Sequence, residues 1–420
     1  MEATSRTIPA AVKRFVVDSL IEPLLPLRVL EAYVIFWARL VFRARKPLVV
    51  GITGSVGKST TTAMIADVLS DARAMSVVGS VGNTVSNMND DLGVAATLLR
   101  FTEPYVLPWS RWRRPFVFLT IAVRALRVVI GRYPRILVLE FGIGPTASFE
   151  RMVATAPPTI AIVTRIGAAH LALMNSVDGV VREKGKLVAA VPPTGLVVLG
   201  DDHEYVAALA TMARAPVLKA SGRGIELSRA IASIACKHLG VPEDIVTPIL
   251  RDFQELEGRL NVVQLGDFTL IDDSYNATPM SMQFGLDTLA KTARPGQRKV
   301  AILGQMAGLG DDSPRYHDEI GEHARRCADV VIGVDDLGRH YRPDAWFENS
   351  RRCAQMLDTL IHDGDCVFVK GSFAAKMGHV VDGLRDRAAA RRTLIAATDA
   401  SAQAQRSASG VASPSFAKEP

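Results

Sequence analysis

Cysteine is scarce in this chain of 420 residues: Cys236, Cys327, Cys353 and Cys366 are widely spaced, and none forms a CxxC pair. That excludes a disulfide framework and a cysteine-rich zinc site as organising devices, and it fits a reducing cytoplasm. Long apolar runs are missing too. The two most apolar basic segments, 29–45 and 115–131, are broken by Arg39 and by Arg124 and Arg127. Neither supplies the roughly 20 uninterrupted apolar residues that a spanning helix needs. The N-terminal charges are scattered, and no A-x-A site follows an apolar stretch, so a cleaved signal peptide is not expected. No internal repeat is visible.

What is present is the composition of a folded enzyme, 48% hydrophobic and 22% charged, long enough for two or three domains. The net charge of +6 is unevenly spread. Residues 1–46 hold eight Lys/Arg against four Asp/Glu, and residues 100–135 hold eight Arg against Glu103 alone. The rest of the chain is therefore net acidic. A nucleic-acid binder would carry its basic patch on the folded body, so nucleic acid is not expected as a partner. For the segments 29–45 and 115–131 two readings stand. They are amphipathic helices packed on the body, or they lie on an anionic membrane surface with Trp37, Trp109, Trp112 and arginines at the headgroups.

The stretch 46–70, KPLVVGITGSVGKSTTTAMIADVLS, organises the rest. An apolar strand, a Gly-rich turn with Gly54, Ser55 and Gly57, the triplet Gly57-Lys58-Ser59 and a helical pattern beginning at Thr60 follow in order. Backbone N–H groups of such a loop point at phosphate oxygens, and the helix N-terminus favours negative charge. Lys58 would reach the terminal phosphates and Ser59 would hold Mg²⁺. The spacing departs from G-x-x-x-x-G-K-[ST], because the first glycine of that pattern would fall on Ile52.

Residues 1–46 read as a helical leader. Apolar runs at 48–53, 136–141, 159–166 and 196–199 alternate with helical patterns, which predicts an α/β fold with a parallel sheet. Two helices are expected over 223–253, broken at 240–242. Further strands are expected at 268–272, 299–303, 330–334 and 366–369, with helices at about 280–293, 314–327, 350–362 and 373–390. This second set reads as a smaller Rossmann-like domain. From 393 to 420 the Ala/Ser/Gln-rich chain reads as a disordered tail. The expected domains are thus 1–46, 47–255 with a basic apolar insertion at about 100–135, 256–392, and the tail.

Several residues follow strands directly. Glu140 ends the run VLEFGIG and His170 follows IVTRIGAAHL. Strand C-termini of open α/β sheets face the ligand crevice, so Glu140 is a candidate Mg²⁺ ligand and His170 a candidate functional residue. Lys184, in REKGKL, falls on a helix, where a lysine is ordinarily solvated. In LIDDSYNATPMSM, Asp273 and Asn276 follow a strand, and Arg259 precedes it in EGRL. Acids there can bind ribose and an Arg can clamp phosphate, although the composition equally suits a turn.

The order GITGSVGKST, LEFGIG, IVTRIGAAH, REKGKL, EGR, IDDSYNATPMSM, AILGQM and VFVKGS resembles the Mur ligases, nearest the MurF type, over about residues 46–385. That resemblance implies a central ATPase domain, a C-terminal Rossmann-like domain, and ATP and Mg²⁺ as cofactors. It implies amide formation through an acyl phosphate, from small-molecule carboxylate and amine substrates, in cell-wall precursor synthesis. It implies that Lys58 and Ser59 hold phosphate and Mg²⁺, with Gly54, Ser55, Gly57 and Thr60 in the same loop. Glu140 and His170 resemble ligands of a second metal, and Lys184 falls on a lysine carbamylated in many members. Lys186, where many relatives have an acid, would make its surroundings more positive. Arg259 resembles a phosphate-contacting Arg, and Asp273 and Asn276 fall on nucleotide-contacting positions. A cytoplasmic monomer, with peripheral membrane contact through 29–45 and 115–131, is the accompanying expectation.

The departures from the family lie elsewhere. The usual UDP-binding domain is not expected ahead of the loop. Gln305 and Gly308 stand where acids are usual, Phe373 stands for an Arg, and Thr278 for an Asn. Two other readings remain open: a Mur-type ligase outside peptidoglycan, similar to poly-γ-glutamate synthetases, and a catalytically weak nucleotide-binding partner at the membrane.

Overall fold

The computed structural model describes residues 27–84, 88–101, 114–144, 148–201 and 204–409. The first part of the leader, Trp109, Trp112 and the end of the tail lie outside the described residues. Contacts divide the chain into two units, Met1–Gly167 with Ser176–Phe253, and Ala168–Asn175 with Gln254–Pro420.

The N-terminal unit carries six parallel strands: β1 Leu48–Thr53, β2 Val81–Asn83, β3 Ile136–Glu140, β4 Ile160–Val163, β5 Leu196–Gly200 and β6 Val217–Ala220. Their order is β2-β3-β1-β4-β5-β6. β3, β4 and β5 are buried at every residue, which is why they read as unbroken apolar runs. The edge strands β2 and β6 are three and four residues long and partly exposed, too short and mixed to stand out in the sequence. From β1 the chain moves outward to β2, and from β4 it moves the other way to β5. Right-handed crossovers in opposite directions put the helices Lys58–Ser70 and Val177–Ala189 on opposite faces. The strand order reverses around β1, so the crevice for a ligand opens at the carboxyl ends of β1, β3 and β4. The register sets Ile52 beside Glu140 and Thr53 beside Val163.

The two basic apolar segments form the helices Leu27–Arg45 and Arg114–Ile130. They pack on each other and on the body. Tyr33 Oη donates to Phe118 O at 3.1 Å, the two rings lie 4.7 Å apart, and Arg45 donates to Val129 O at 3.1 Å. Val34, Ala38, Val41, Ile121 and Ala125 are buried. The opposite sides stay exposed: Val29, Phe36 and Leu40 on the first helix, Leu119, Val123, Leu126 and Ile130 on the second. Among the described residues no helix is long and apolar enough to cross a membrane.

The C-terminal unit holds β7 Asn261–Leu265, β8 Phe268–Asp273, β9 Lys299–Leu303, β10 Val330–Val334, β11 Ala345–Phe347 and β12 Cys366–Lys370. The order is β11-β10-β9-β12-β8-β7, parallel except for the antiparallel pair β7–β8. Ile302, Ile332, Val367 and Val369 pack with Met377, Val381 and Leu384 as its core. The unexpected strands β7 and β11 are again the edges. The last helix runs Gly378–Ser409, so residues 393–409 are helical where a disordered tail was expected. Ala, Gln and Arg in that stretch are strong helix formers, and this propensity outweighs the low hydrophobicity.

Candidate active site

β1 ends at Thr53, and the chain turns through four residues into the helix Lys58–Ser70. Gly54 has φ +148° and Gly57 φ +88°. A Cβ on Gly54 would lie 1.9 Å from Thr164 Oγ1, so the loop closes here only around glycine. Thr164, just past β4, shapes the turn: its hydroxyl donates to Val56 O at 2.6 Å. Ser55 N donates to Arg165 O at 2.6 Å, and Ser55 Oγ donates to Gly167 O at 3.0 Å. The strand beside β1 thus fixes the loop before any ligand arrives. Lys58 Nζ donates to Gly54 O at 3.0 Å, and Thr60 lies half-buried in the first turn. The first N–H groups of the helix have no partner within it and carry the positive end of its dipole.

Ser59 Oγ donates to Glu140 Oε2 at 3.3 Å. Glu140 is buried at the end of β3, and its backbone N–H donates to Thr84 Oγ1 at 3.1 Å. A hydroxyl and a carboxylate converge beside the Gly-rich loop and the N-terminus of its helix. This is an all-oxygen donor set with one negative charge, and it fits a small hard dication next to a polyphosphate.

Lys184 lies nearby, and here the sequence-based expectation of a solvated helix lysine fails. Its side chain is wholly buried, and Nζ donates to Thr53 Oγ1 at 3.1 Å. That hydroxyl in turn donates to Phe141 O at 2.8 Å. The Phe149 ring centroid is 5.6 Å from Nζ. Burial drives the amine well below its usual range, the Lys58 charge adds to the depression, and Glu183 opposes it. Lys186, expected to supply the positive field, is instead paired with Glu183 at 2.7 Å. Among the described residues no carboxylate forms an ion pair with Lys184.

Lys58, Ser59, Glu140 and Lys184 therefore share one strand-end cluster. His170 belongs to the segment 168–175, which packs with the C-terminal unit. It has φ +57° and opens the helix Leu171–Met174, whose Ala172 N donates to Gly308 O at 3.1 Å.

In the C-terminal unit, β12 and β8 bring Lys370 into register with Asp273. Lys370 Nζ is buried and donates to Asp273 Oδ2 at 2.5 Å and to Asn276 O at 2.7 Å. Burial raises the Asp273 carboxyl and lowers the Lys370 amine, while their mutual attraction and Arg259 act on both. The Arg259 guanidinium lies 3.9 Å from the Tyr275 ring centroid. The Asn276 side chain is exposed. Lys370 was not among the expected site residues. Its position as the last residue of an apolar strand, directly before the pair Gly371-Ser372, was the available signal.

The chain matches the Mur ligase middle domain over residues 52–106 and 124–270, and the Mur ligase, glutamate ligase domain over residues 258–373. The UDP-N-acetylmuramoyl-tripeptide–D-alanyl-D-alanine ligase of Mycobacterium tuberculosis (strain CDC 1551 / Oshkosh) is 27% identical over 404 residues, covering 80% of this chain and 72% of the relative. The ligase of the same name from Escherichia coli (strain K12) is 26% identical over 404 residues, covering 83% and 79%. Among solved structures, MurF ligase from Thermotoga maritima in complex with ADP superposes with a TM-score of 0.68 at 21% identity, over 86% of this chain and 84% of that one. The chain belongs to the Mur ligase family of ATP-dependent, amide-forming ligases.

Proposed function

We propose that this ligase joins the terminal carboxylate of a muramoyl peptide to a short peptide amine in cell-wall precursor synthesis, as the names of its relatives suggest. The observation that carries the reading is the convergence of Lys58, the Ser59–Glu140 pair and Lys184 at the carboxyl ends of β1 and β3. The carboxylate oxygen attacks the γ-phosphorus and ADP leaves; the amine then attacks the acyl carbon and phosphate leaves. Such transfers need positioning and charge neutralisation more than covalent chemistry from the protein. The loop Gly54–Gly57, with Thr60, cradles phosphate oxygens, and Lys58 swings from Gly54 O to the terminal phosphates. Ser59 and Glu140 would hold Mg²⁺, which would neutralise the charge that develops in transfer. Lys184, as a carbamate, would add oxygen ligands to that metal site.

A second reading keeps the chemistry and changes the amine. Phe373, where relatives carry an Arg, is 68% exposed with its ring 6.1 Å from Tyr275. An apolar surface there favours a Mur-type ligase acting on a different acceptor. The exposed sides of the helices Leu27–Arg45 and Arg114–Ile130 support a peripheral membrane contact.

The test is ADP release from the full chain. Release should require both a carboxylate and an amine, and should be greatest for a muramoyl tripeptide with D-alanyl-D-alanine. Lys58→Ala should lower it by about 10²–10³, the scale of one lost electrostatic contact in a desolvated site. Turnover with another acyl and amine pair alone would replace the substrate assignment by the second reading.

A further inference from the structure

A cavity of about 600 Å³ opens beside the helix Arg114–Ile130. Arg100, Arg124, Arg127 and Arg132 line it together with Leu119 and Val123, and no acid lines it among the described residues. Arg124 is committed to the fold. It donates to Leu99 O at 2.8 Å and to Arg100 O, and lies 4.4 Å from the Phe101 ring centroid. The other three have no carboxylate partner among the described residues, and Arg127 and Arg132 are exposed. Clustered guanidinium groups repel unless an anion sits between them, and their planar donors suit phosphate oxygens.

The wall of the cavity continues into an apolar stripe. Leu119, Val123, Leu126 and Ile130 recur at i, i+4, i+7 and i+11, one face of a helix, and are 60%, 40%, 59% and 75% exposed. A soluble anion has no use for that stripe, and a nucleic acid would meet it unfavourably. An anion attached to hydrocarbon satisfies both parts.

We propose that this cavity is a binding site for the phosphate of one anionic membrane lipid, whose hydrocarbon lies along Leu119–Ile130. The proposal rests on the reading that this face meets the membrane. Arg100, Arg127 and Arg132 clamp the phosphate, Arg124 fixes the floor, and the stripe enters the acyl boundary as interfacial helices do.

The probe is dihexanoyl phosphatidic acid below its micelle concentration, titrated calorimetrically into the full chain. One molecule should bind per chain. Arg127→Ala with Arg132→Ala should weaken binding by about tenfold or more, as expected for lost charge-assisted contacts. Arg43→Ala, an exposed arginine on the other helix, should change it little. Inorganic phosphate binding as tightly, with the same arginine dependence, would overturn the lipid assignment in favour of a soluble anion. So would equal losses in all the arginine variants, which would mean diffuse attraction. Vesicles of phosphatidylcholine with phosphatidic acid separate the two readings. If they bind the chain, and Leu126→Ser with Ile130→Ser releases it, while the short lipid does not bind, the membrane contact stands and the cavity proposal falls. If neither vesicles nor short lipid bind, both fall.

Discussion

The Lys184 amine donates to Thr53 Oγ1 across 3.1 Å, deep beneath the phosphate loop. Thr53 gives its own proton to Phe141 O, so the hydroxyl offers Lys184 a lone pair and nothing more. A neutral oxygen does little to offset the loss of water around an ammonium, and the nearby Lys58 makes the charged form worse. The lysine is thereby held towards its neutral form, next to the residues that would hold the metal.

The first prediction concerns pH. In the unfolded chain Lys184 titrates near its ordinary value of 10.5, and in the folded protein well below it. Between those two values the unfolded chain binds more protons, so stability rises with pH through that window, and this contribution is lost as pH falls through it. In CO₂-free buffer, Lys184→Met should therefore melt higher than the wild type at neutral pH. Its advantage should shrink as pH approaches 10.5. A constant difference in melting temperature across that range would mean that the amine is not held neutral.

The second concerns the loop. Gly54→Ala puts a methyl group onto Thr164 Oγ1 at a φ of +148°. The strain costs about 1–3 kcal/mol and is relieved only by moving the loop. ATP binding, measured by calorimetry, should be lost. Adding Thr164→Ala removes the clash but also the bond to Val56 O, so it should recover stability more than binding. Unchanged ATP affinity in Gly54→Ala would show that the loop does not seat phosphate.

The central sheet and the phosphate loop were legible because β3, β4 and β5 are buried at every residue, as is β1 beyond Leu48, and the strands are followed by punctuating glycines or polar residues. The edges β2, β6, β7 and β11 were not, since half-exposed strands of three to five residues carry no distinct pattern. Lys184 was misjudged on residue type alone. Val180, Leu187 and Val188, at i−4, i+3 and i+4, are all buried, so the lysine sits on the apolar stripe of its helix; that spacing was readable. The grouping of His170 with the C-terminal unit was not, because it depends on contacts with a segment more than a hundred residues away. Lys370 was hidden in plain sight as the last residue of a fully buried strand.

The third prediction isolates that residue. Lys370→Met leaves Asp273 facing a buried methyl group, and removing one partner of a buried pair costs about 3–5 kcal/mol. The variant should melt much lower in a calorimetric scan. Lys370→Met with Asp273→Leu, which removes both charges, should regain much of that stability while nucleotide affinity stays low. Additive losses in the double variant would mean that the two side chains act separately.

The last prediction tests the role proposed for Lys184. A neutral amine can attack carbon dioxide, and the product replaces a cation with an anion bearing two hard oxygens, the ligand type Mg²⁺ prefers. Beside Lys58 and a bound dication that exchange is electrostatically favourable, whereas an ammonium there would add to a positive cluster. With ¹³C-labelled bicarbonate and Mg²⁺, the wild type should show a carbamate carbonyl resonance that Lys184→Ala lacks. Lys184→Ala should still bind ATP, because the loop is built by Thr164, Ser55 and the two glycines and not by this lysine. Its ligase activity should fall by about 10²–10³, as for other single electrostatic contacts in a closed site. Acetate should restore part of that activity by filling the space the side chain vacates with a carboxylate. Full activity in Lys184→Ala would remove the lysine from the mechanism. Lost activity with no carbamate resonance in the wild type and no rescue by acetate would leave Lys184 as a neutral hydrogen-bond donor that positions Thr53, and would end the carbamate assignment.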